Sequence, residues 1–226
     1  MKFFCLFELP VNRKRMFDLP YLTWTRQHEK VIHSIEKCGA DVNERDSSGC
    51  TSLFIACKNY KLHSKLIHFL LSQENINVNL QNEYGLSPLH ATITRIQSDV
   101  DLADAIDCVL LLLQDGRVDP NLITNDGSTP LMQACNPRSN VVLIKLMLAS
   151  GRWIDVEKRT MCFYLSYLVK SEMTALDLAM FMRRGDAVSF LQQYKSNPME
   201  MQKIWRKEMK LKGLFAKNKN KNKNKK

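Results

Sequence analysis

Asn125-Asp126-Gly127-Ser128-Thr129-Pro130-Leu131-Met132-Gln133-Ala134 is a phrase that this chain repeats. Upstream stand Asp46-Ser47-Ser48-Gly49-Cys50-Thr51-Ser52-Leu53-Phe54-Ile55-Ala56 and Asn82-Glu83-Tyr84-Gly85-Leu86-Ser87-Pro88-Leu89-His90; downstream stands Thr174-Ala175-Leu176-Asp177-Leu178-Ala179. A second phrase precedes each copy: Gly39-Ala40-Asp41-Val42-Asn43, Ile76-Asn77-Val78-Asn79, Val118-Asp119-Pro120-Asn121 and Ile154-Asp155-Val156. Two phrases recurring in the same order mark one structural unit copied along the chain.

The chemistry of the phrase predicts its shape. Gly49, Gly85 and Gly127 supply the positive φ of a tight turn, and the Thr or Ser that follows caps a helix start. Pro88 and Pro130 then fall at the first helical position, where a missing N–H costs little. Apolar runs after each phrase, such as Lys65-Leu66-Ile67-His68-Phe69-Leu70-Leu71, Cys108-Val109-Leu110-Leu111-Leu112-Leu113 and Val142-Leu143-Ile144-Lys145-Leu146-Met147-Leu148, read as second helices. The unit is turn, helix, short break, helix.

On these motifs the chain resembles the ankyrin-repeat family, whose T-P-L-H-x-A signature recurs about every 33 residues. The resemblance covers residues 27–194, as a half-repeat and about four units. It implies an all-α helical solenoid with short β-hairpin fingers, in which fingers and first-helix surfaces bind other proteins. The same resemblance makes His90 a structural hydrogen-bonding residue between turns. Thr51, Ser87, Thr129 and Thr174 are spaced by 36, 42 and 45 residues, longer than the family period. In the second unit the excess falls around residues 95–101, between the helices. In the last it falls at residues 157–169, where Glu172 stands in place of the turn glycine. Two readings are open there: Phe163, Tyr164 and Tyr167 form an aromatic contact surface, or an early or extra helix buries them.

Outside the repeats, residues 1–26 carry aromatic side chains and an Arg13-Lys14-Arg15 cluster, and are expected to cover the exposed end of the first unit. Residues 195–214 read as a basic amphipathic helix with Met201, Ile204, Trp205 and Met209 on one side. Residues 215–226 form a Lys/Asn run with almost nothing to bury, and are expected to be disordered. The net charge of +10 resides entirely in this C-terminal part: residues 195–226 hold 12 Lys/Arg against 2 Asp/Glu, leaving 21 of each sign elsewhere.

Composition and motif searches narrow the function. Seven widely spaced cysteines, without a C-x-x-C, read as free thiols buried in a reducing compartment, which points to an intracellular protein. The first residues lack a cleavage site, so no secretory signal is expected, and no run of about 18 apolar residues predicts a membrane span. His28-Glu29-Lys30-Val31-Ile32-His33 is one residue too long for the zinc motif H-E-x-x-H, which places the two imidazoles about 140° apart on a helix. No nucleophile with a base, phosphate-cradling glycine loop or carboxylate pair is legible, so the chain is expected to be neither an enzyme nor a cofactor protein.

The expected function is therefore a protein-interaction module, an adaptor, inhibitor or targeting subunit. The partner-binding candidates are Glu44, Arg45, Gln81, Glu83, Tyr84, Asn125 and Asp126 on the fingers, with Lys58, Asn59 and Arg95 on the inner helices. The alternative is electrostatic binding of nucleic acid or an anionic membrane through Lys203, Arg206, Lys207, Lys210 and the tail. A monomer is expected.

Overall fold

Helix starts in this chain are set by hydroxyl caps. Thr51, Thr129 and Thr174 each adopt extended backbone, and each side chain accepts from a backbone N–H three residues on, at Phe54, Met132 and Asp177. Thr174 and Asp177 complete a reciprocal capping box. The computed structural model describes residues 18–95, 102–164 and 169–209. Within them the chain forms five successive helix pairs: α1 (Leu19–Trp24) with α2 (His28–Cys38), α3 (Ser52–Lys58) with α4 (Tyr60–Ser72), α5 (Pro88–Arg95) with α6 (Leu102–Gln114), α7 (Pro130–Ala134) with α8 (Val142–Ala149), and α9 (Ala175–Phe181) with α10 (Gly185–Ser196). First helices pack on first helices and second on second, from α1 to α9 and from α2 to α10, so the molecule is a two-layer stack.

The first unit departs from the sequence reading. Residues 27–38 were expected to be half a repeat behind a covering segment, whereas Leu19–Trp24 supplies the missing first helix. Asp18 caps it by accepting from Tyr21 N at 2.6 Å, Pro20 sits in its first turn, and Leu19 and Leu22 are buried beside α3. Asp18 does for this helix what threonine does elsewhere. Residues 1–17 lie outside the described residues, as do 96–101, where the excess of the second unit was placed.

Between the pairs the chain turns tightly. The Asp46 carboxylate accepts from Ser48 N and Cys50 N, and Asn82 Oδ1 accepts from Tyr84 N and Leu86 N in the same way. Gly49, Gly85 and Gly127 have φ of 74°, 74° and 79°. These fingers are turns, with a single bridge between Arg45 and Thr51. The fourth finger is different: β1 (Thr160–Tyr164) and β2 (Val169–Met173) pair antiparallel, Thr160 opposite Met173 and Tyr164 opposite Val169. The extra or early helix is thereby excluded at the described positions. The strands include aromatic and β-branched types, which suit a pleated hairpin. Residues 165–168 lie outside the described residues, and the aromatic-surface reading falls largely on them and on side chains not described.

Two hydrogen-bonded series tie units to their neighbours. Asn43 Nδ2 donates to Asn75 O at 2.9 Å and its Oδ1 accepts from Asn77 N at 2.7 Å. Asn79 repeats this with Arg117 O and Asp119 N, both at 2.8 Å, and Asn121 with Trp153 O and Asp155 N, at 3.0 and 2.8 Å. The second series is made by arginines that bond carbonyls at or just beyond the ends of second helices: Arg117 donates to Leu71 O and Gln73 O, Arg152 to Gly116 O and Val118 O, and Arg206 to Ala149 O. At about 1 kcal/mol net per bond, a junction that holds both series gains several kcal/mol beyond apolar burial.

α11 (Pro198–Glu208) adds a third layer over α8 and α10. α8 is apolar nearly all round, with Leu143, Ile144, Leu146, Met147 and Leu148 buried, and this cover is the reason it can be. Trp205 is buried, stacked on Tyr194 with ring centroids 6.1 Å apart and edge-on to Phe190 at 6.0 Å. Met201 and Met209 pack against the core, while Ile204, which the spacing placed with them, is 39% exposed. The described helix holds three basic and two acidic side chains, so it is far less basic than residues 195–214 as a whole. Residues 210–226 lie outside the described residues.

Two substitutions test the junctions. A Cβ at Gly85 would lie 2.6 Å from Asn125 N, in a backbone conformation that disfavours side chains, so Gly85→Ala is expected to lower unfolding free energy by roughly 2–4 kcal/mol in urea titration. Trp205→Ala removes the centre of the third layer and is expected to cost about 3–5 kcal/mol by the same measurement.

Candidate interaction surface

The fingers and first helices form one continuous side of the stack, and most of the candidate binding side chains there are engaged within the protein. Glu44 accepts from Leu19 N at 3.1 Å, holding the start of α1. Arg45 donates from Nε to Gly49 O at 3.1 Å and from Nη2 to Gln81 O at 2.5 Å, and so links the first finger to the second. Gln81 Nε2 donates to Gly85 O and to Ile123 O, the latter at 2.8 Å. Asn125 Nδ2 donates to Glu83 O at 2.7 Å, and Asp126 accepts from the Thr124 hydroxyl. Arg45, Gln81 and Asn125 brace the fingers against one another, while Glu44 ties the first finger to α1 and Asp126 is held within its own finger.

Glu83 and Tyr84 differ. Their backbones join the cross-finger series, Glu83 N donating to Ser48 O and Tyr84 O accepting from Asn125 N, while their side chains stay exposed. Tyr84 is 63% exposed, and the neighbouring Glu83 carboxylate holds its phenol above the usual pKa. The result is an aromatic group on a backbone fixed from both sides. Lys58 is exposed at the end of α3 and Asn59 half-buried beyond it. Arg95 closes α5, its side chain outside the described residues.

Sequence reading passed over Ile123, 40% exposed, which occupies the third-finger place of Arg45 and Gln81. Aligning the three turns residue by residue exposes that substitution of an apolar group for a polar one. The basic candidates of the C-terminal segment are divided: Lys203 and Lys207 are exposed, Arg206 Nε is engaged with Ala149 O at 2.5 Å, and Lys210 lies outside the described residues.

His90 is buried and joins two units. Its Nδ1 faces the hydroxyl and N–H of Ser87, at 2.8 and 3.2 Å, and its Nε2 lies 3.3 Å from Ser128 O of the next finger. Ser87 N–H donating to Nδ1 leaves the proton on Nε2, which donates to Ser128 O. Burial lowers its pKa to about 4, so the ring is neutral near pH 7. His28 Nε2 and His63 Nδ1 also meet, between α2 and a kink in α4. Burial, then the neighbouring His28 and Arg26, lowers His63 to about 4. Among the described residues no group of three or more His, Cys, Asp or Glu is placed to hold a metal ion. Cys57, Cys108 and Cys135 are buried free thiols, burial raising Cys135 to about 12, whereas Cys38 is exposed. No helix among the described residues is long and apolar enough to cross a membrane.

With this geometry in hand, known proteins give a consistent comparison. Residues 100–202 match the family model for ankyrin repeats, in three copies. Those residues carry ankyrin repeats. The match runs from α6 into α11, and the finger turns before it, at Gly49 and Gly85, share the turn glycine and the asparagine series. The chain is similar to human BCL-6 corepressor-like protein 1, 32% identical over 104 residues, covering 46% of this chain and 5% of that protein. It is also similar to mouse Rabankyrin-5, 24% identical over 157 residues, covering 58% of this chain and 13% of that protein. The chain thus spans a small fraction of the length of either relative. Ankyrin repeats generally mediate protein–protein interaction.

The buried imidazoles make stability pH-dependent. Because His90 has a folded pKa below its unfolded value of 6.5, the unfolded chain binds more protons between the two. Its contribution is complete above pH 6.5 and is lost as pH falls toward about 4, amounting to about 3 kcal/mol. Urea titrations across this window should show midpoints falling with pH, and His90→Gln should flatten the dependence.

Proposed function

We propose that this chain is a non-catalytic ankyrin module, an adaptor, inhibitor or targeting subunit, which grips a protein partner through the second and third fingers. The observation that carries this reading is Tyr84, largely exposed on a finger whose backbone is bonded to both neighbours. A rigid, exposed aromatic side chain loses little conformational entropy on burial, which is the property of an interface anchor. Glu83 lies beside it, Ile123 is exposed on the third finger, and Lys58 lies exposed at the end of α3. Of the ten candidate residues, Glu83, Tyr84 and Lys58 are the ones this reading retains as anchors.

The second reading is electrostatic binding of nucleic acid or an anionic membrane by the C-terminal lysines. Its support is the location of the charge, with the whole excess of +10 in residues 195–226. It requires binding that collapses with salt and with loss of the tail.

Affinity capture from a cell extract separates the two, comparing the full chain with one ending at Met209, which keeps α11 in place. The finger reading expects the same protein to be retained by both chains at low and moderate salt. Tyr84→Ala should then weaken the purified complex at least tenfold, about 1.4 kcal/mol, without shifting the unfolding midpoint. Unchanged affinity in Tyr84→Ala, Glu83→Ala and Lys58→Ala would remove the finger surface from consideration.

A further inference from the structure

The far end of the stack carries an unfinished edge. In each finger the later residues meet the following unit: Ser48 O accepts from Glu83 N, Tyr84 O from Asn125 N, and Gly127 O from the Thr160 hydroxyl. The later strand of the last finger, β2, therefore lies on the side a further unit would occupy. β2 pairs with β1 along one edge, and no other strand among the described residues pairs with it.

First helices reach the same end with an apolar group. The sixth residue after each hydroxyl cap is Cys57, Ile93 and Cys135 in the internal units, at most 1% exposed under the next unit. In the last unit this position is Met180, 48% exposed, and Phe181 beside it is 43% exposed. α9 thus keeps a stacking face that nothing among the described residues covers.

The first and last described helices lie elsewhere. α1 lies at the opposite end of the stack, and α11 runs back from α10, placing Arg206 at Ala149 and Glu208 at Lys145 of α8. A further ankyrin unit is a poor occupant as well. Glu157 replaces the asparagine of Asn43, Asn79 and Asn121, and its carboxylate is held by Lys195 at 2.7 Å, so the base offers no amide to bind a following backbone.

The sequence of the edge indicates what fits it. Val169-Lys170-Ser171-Glu172-Met173, laid antiparallel against itself about Ser171, sets Val169 opposite Met173 and Lys170 opposite Glu172. Opposite charges and apolar groups at facing positions are the pairs that stabilise antiparallel strands, and a two-fold axis generates this register without further adjustment. We propose that two copies of this chain associate end to end through β2, joining their hairpins into one antiparallel sheet, with the Met180 and Phe181 faces covering each other alongside. This contact replaces the monomer expected from sequence, uses the strand edge that would otherwise invite nonspecific pairing, and is independent of the finger surface.

Sedimentation equilibrium of the full chain tests the contact, from about 1 to about 100 μM, where micromolar association becomes populated. The mass should rise from 26.2 kDa to twice that value. Lys170→Glu and Glu172→Lys each place like charges opposite one another across the axis, and each should weaken association at least tenfold. An equimolar mixture of the two single variants should dimerise, and K170E/E172K should recover the parent's behaviour, which also shows that the substituted hairpin folds. Met180→Asp should weaken association without altering the helical circular dichroism. A parent chain of 26.2 kDa at every concentration, or single variants that associate as the parent does, would overturn the proposal.

Discussion

No helix pair in this protein buries its apolar faces by itself. Leu53, Leu89 and Leu131 belong to successive first helices, and each is within 1% of complete burial because the next pair covers it. One buried cluster accordingly runs from Leu19 to Trp205, through every unit. The constraint is the junction between units, and the features that look decorative in sequence serve it. Asn43, Asn79 and Asn121 each satisfy a donor and an acceptor on the next unit's backbone, and three arginines bond carbonyls at or just beyond the second-helix ends one unit back. Opening one junction exposes both an apolar face and these paired groups, so neighbouring units unfold together.

This constraint also sorts the surface. A side chain that braces the stack is held in a geometry a partner cannot alter without weakening the junction, which applies to Arg45, Gln81 and Asn125. Their polarity and position on the fingers made them attractive as contact residues, yet the acceptors they reach lie 36 to 42 residues away on a neighbouring finger. Bracing and recognition are nevertheless connected. The bonds made by Arg45, Gln81 and Asn125 fix the backbone on which Tyr84 stands, and that fixed backbone is what makes an exposed tyrosine usable as an anchor.

Legibility followed the range of the interaction. Turn glycines, hydroxyl caps and Pro88 and Pro130 act within four residues, and their structural roles are those read from the sequence. α1 escaped that reading because Asp18-Leu19-Pro20 has neither the turn glycine nor the threonine of the other units, although Asp18 performs the same capping. The cross-unit partners were illegible for a different reason: the asparagines recur visibly, but which carbonyl each meets depends on the register of two stacked units 32 to 38 residues apart. The long finger was ambiguous because its residues suit a strand and a buried helix equally, and the pairing of Thr160 with Met173 resolves it. Among the binding candidates, exposure was legible from the motif and engagement was not.

The two ends of a stack face the same physical problem, an apolar face with no neighbour, and this chain treats the last unit layer by layer. Its second-helix layer is closed: α11 folds back so that Trp205 lies against Phe190 and Tyr194, and α10 presents Gln192, Gln193 and Lys195 to solvent. Its base is closed too, Glu157 taking Lys195 where an asparagine would have extended the series. The first-helix layer is not closed in this way, since Met180 keeps the apolar character of a junction position while standing in solvent. Had the end been built only to terminate the stack, a polar residue at 180 would have sufficed, because that position makes none of the buried internal contacts that require Cys57 or Cys135 to be apolar. A large apolar side chain retained there, next to a strand edge, has the character of a junction surface rather than a terminus.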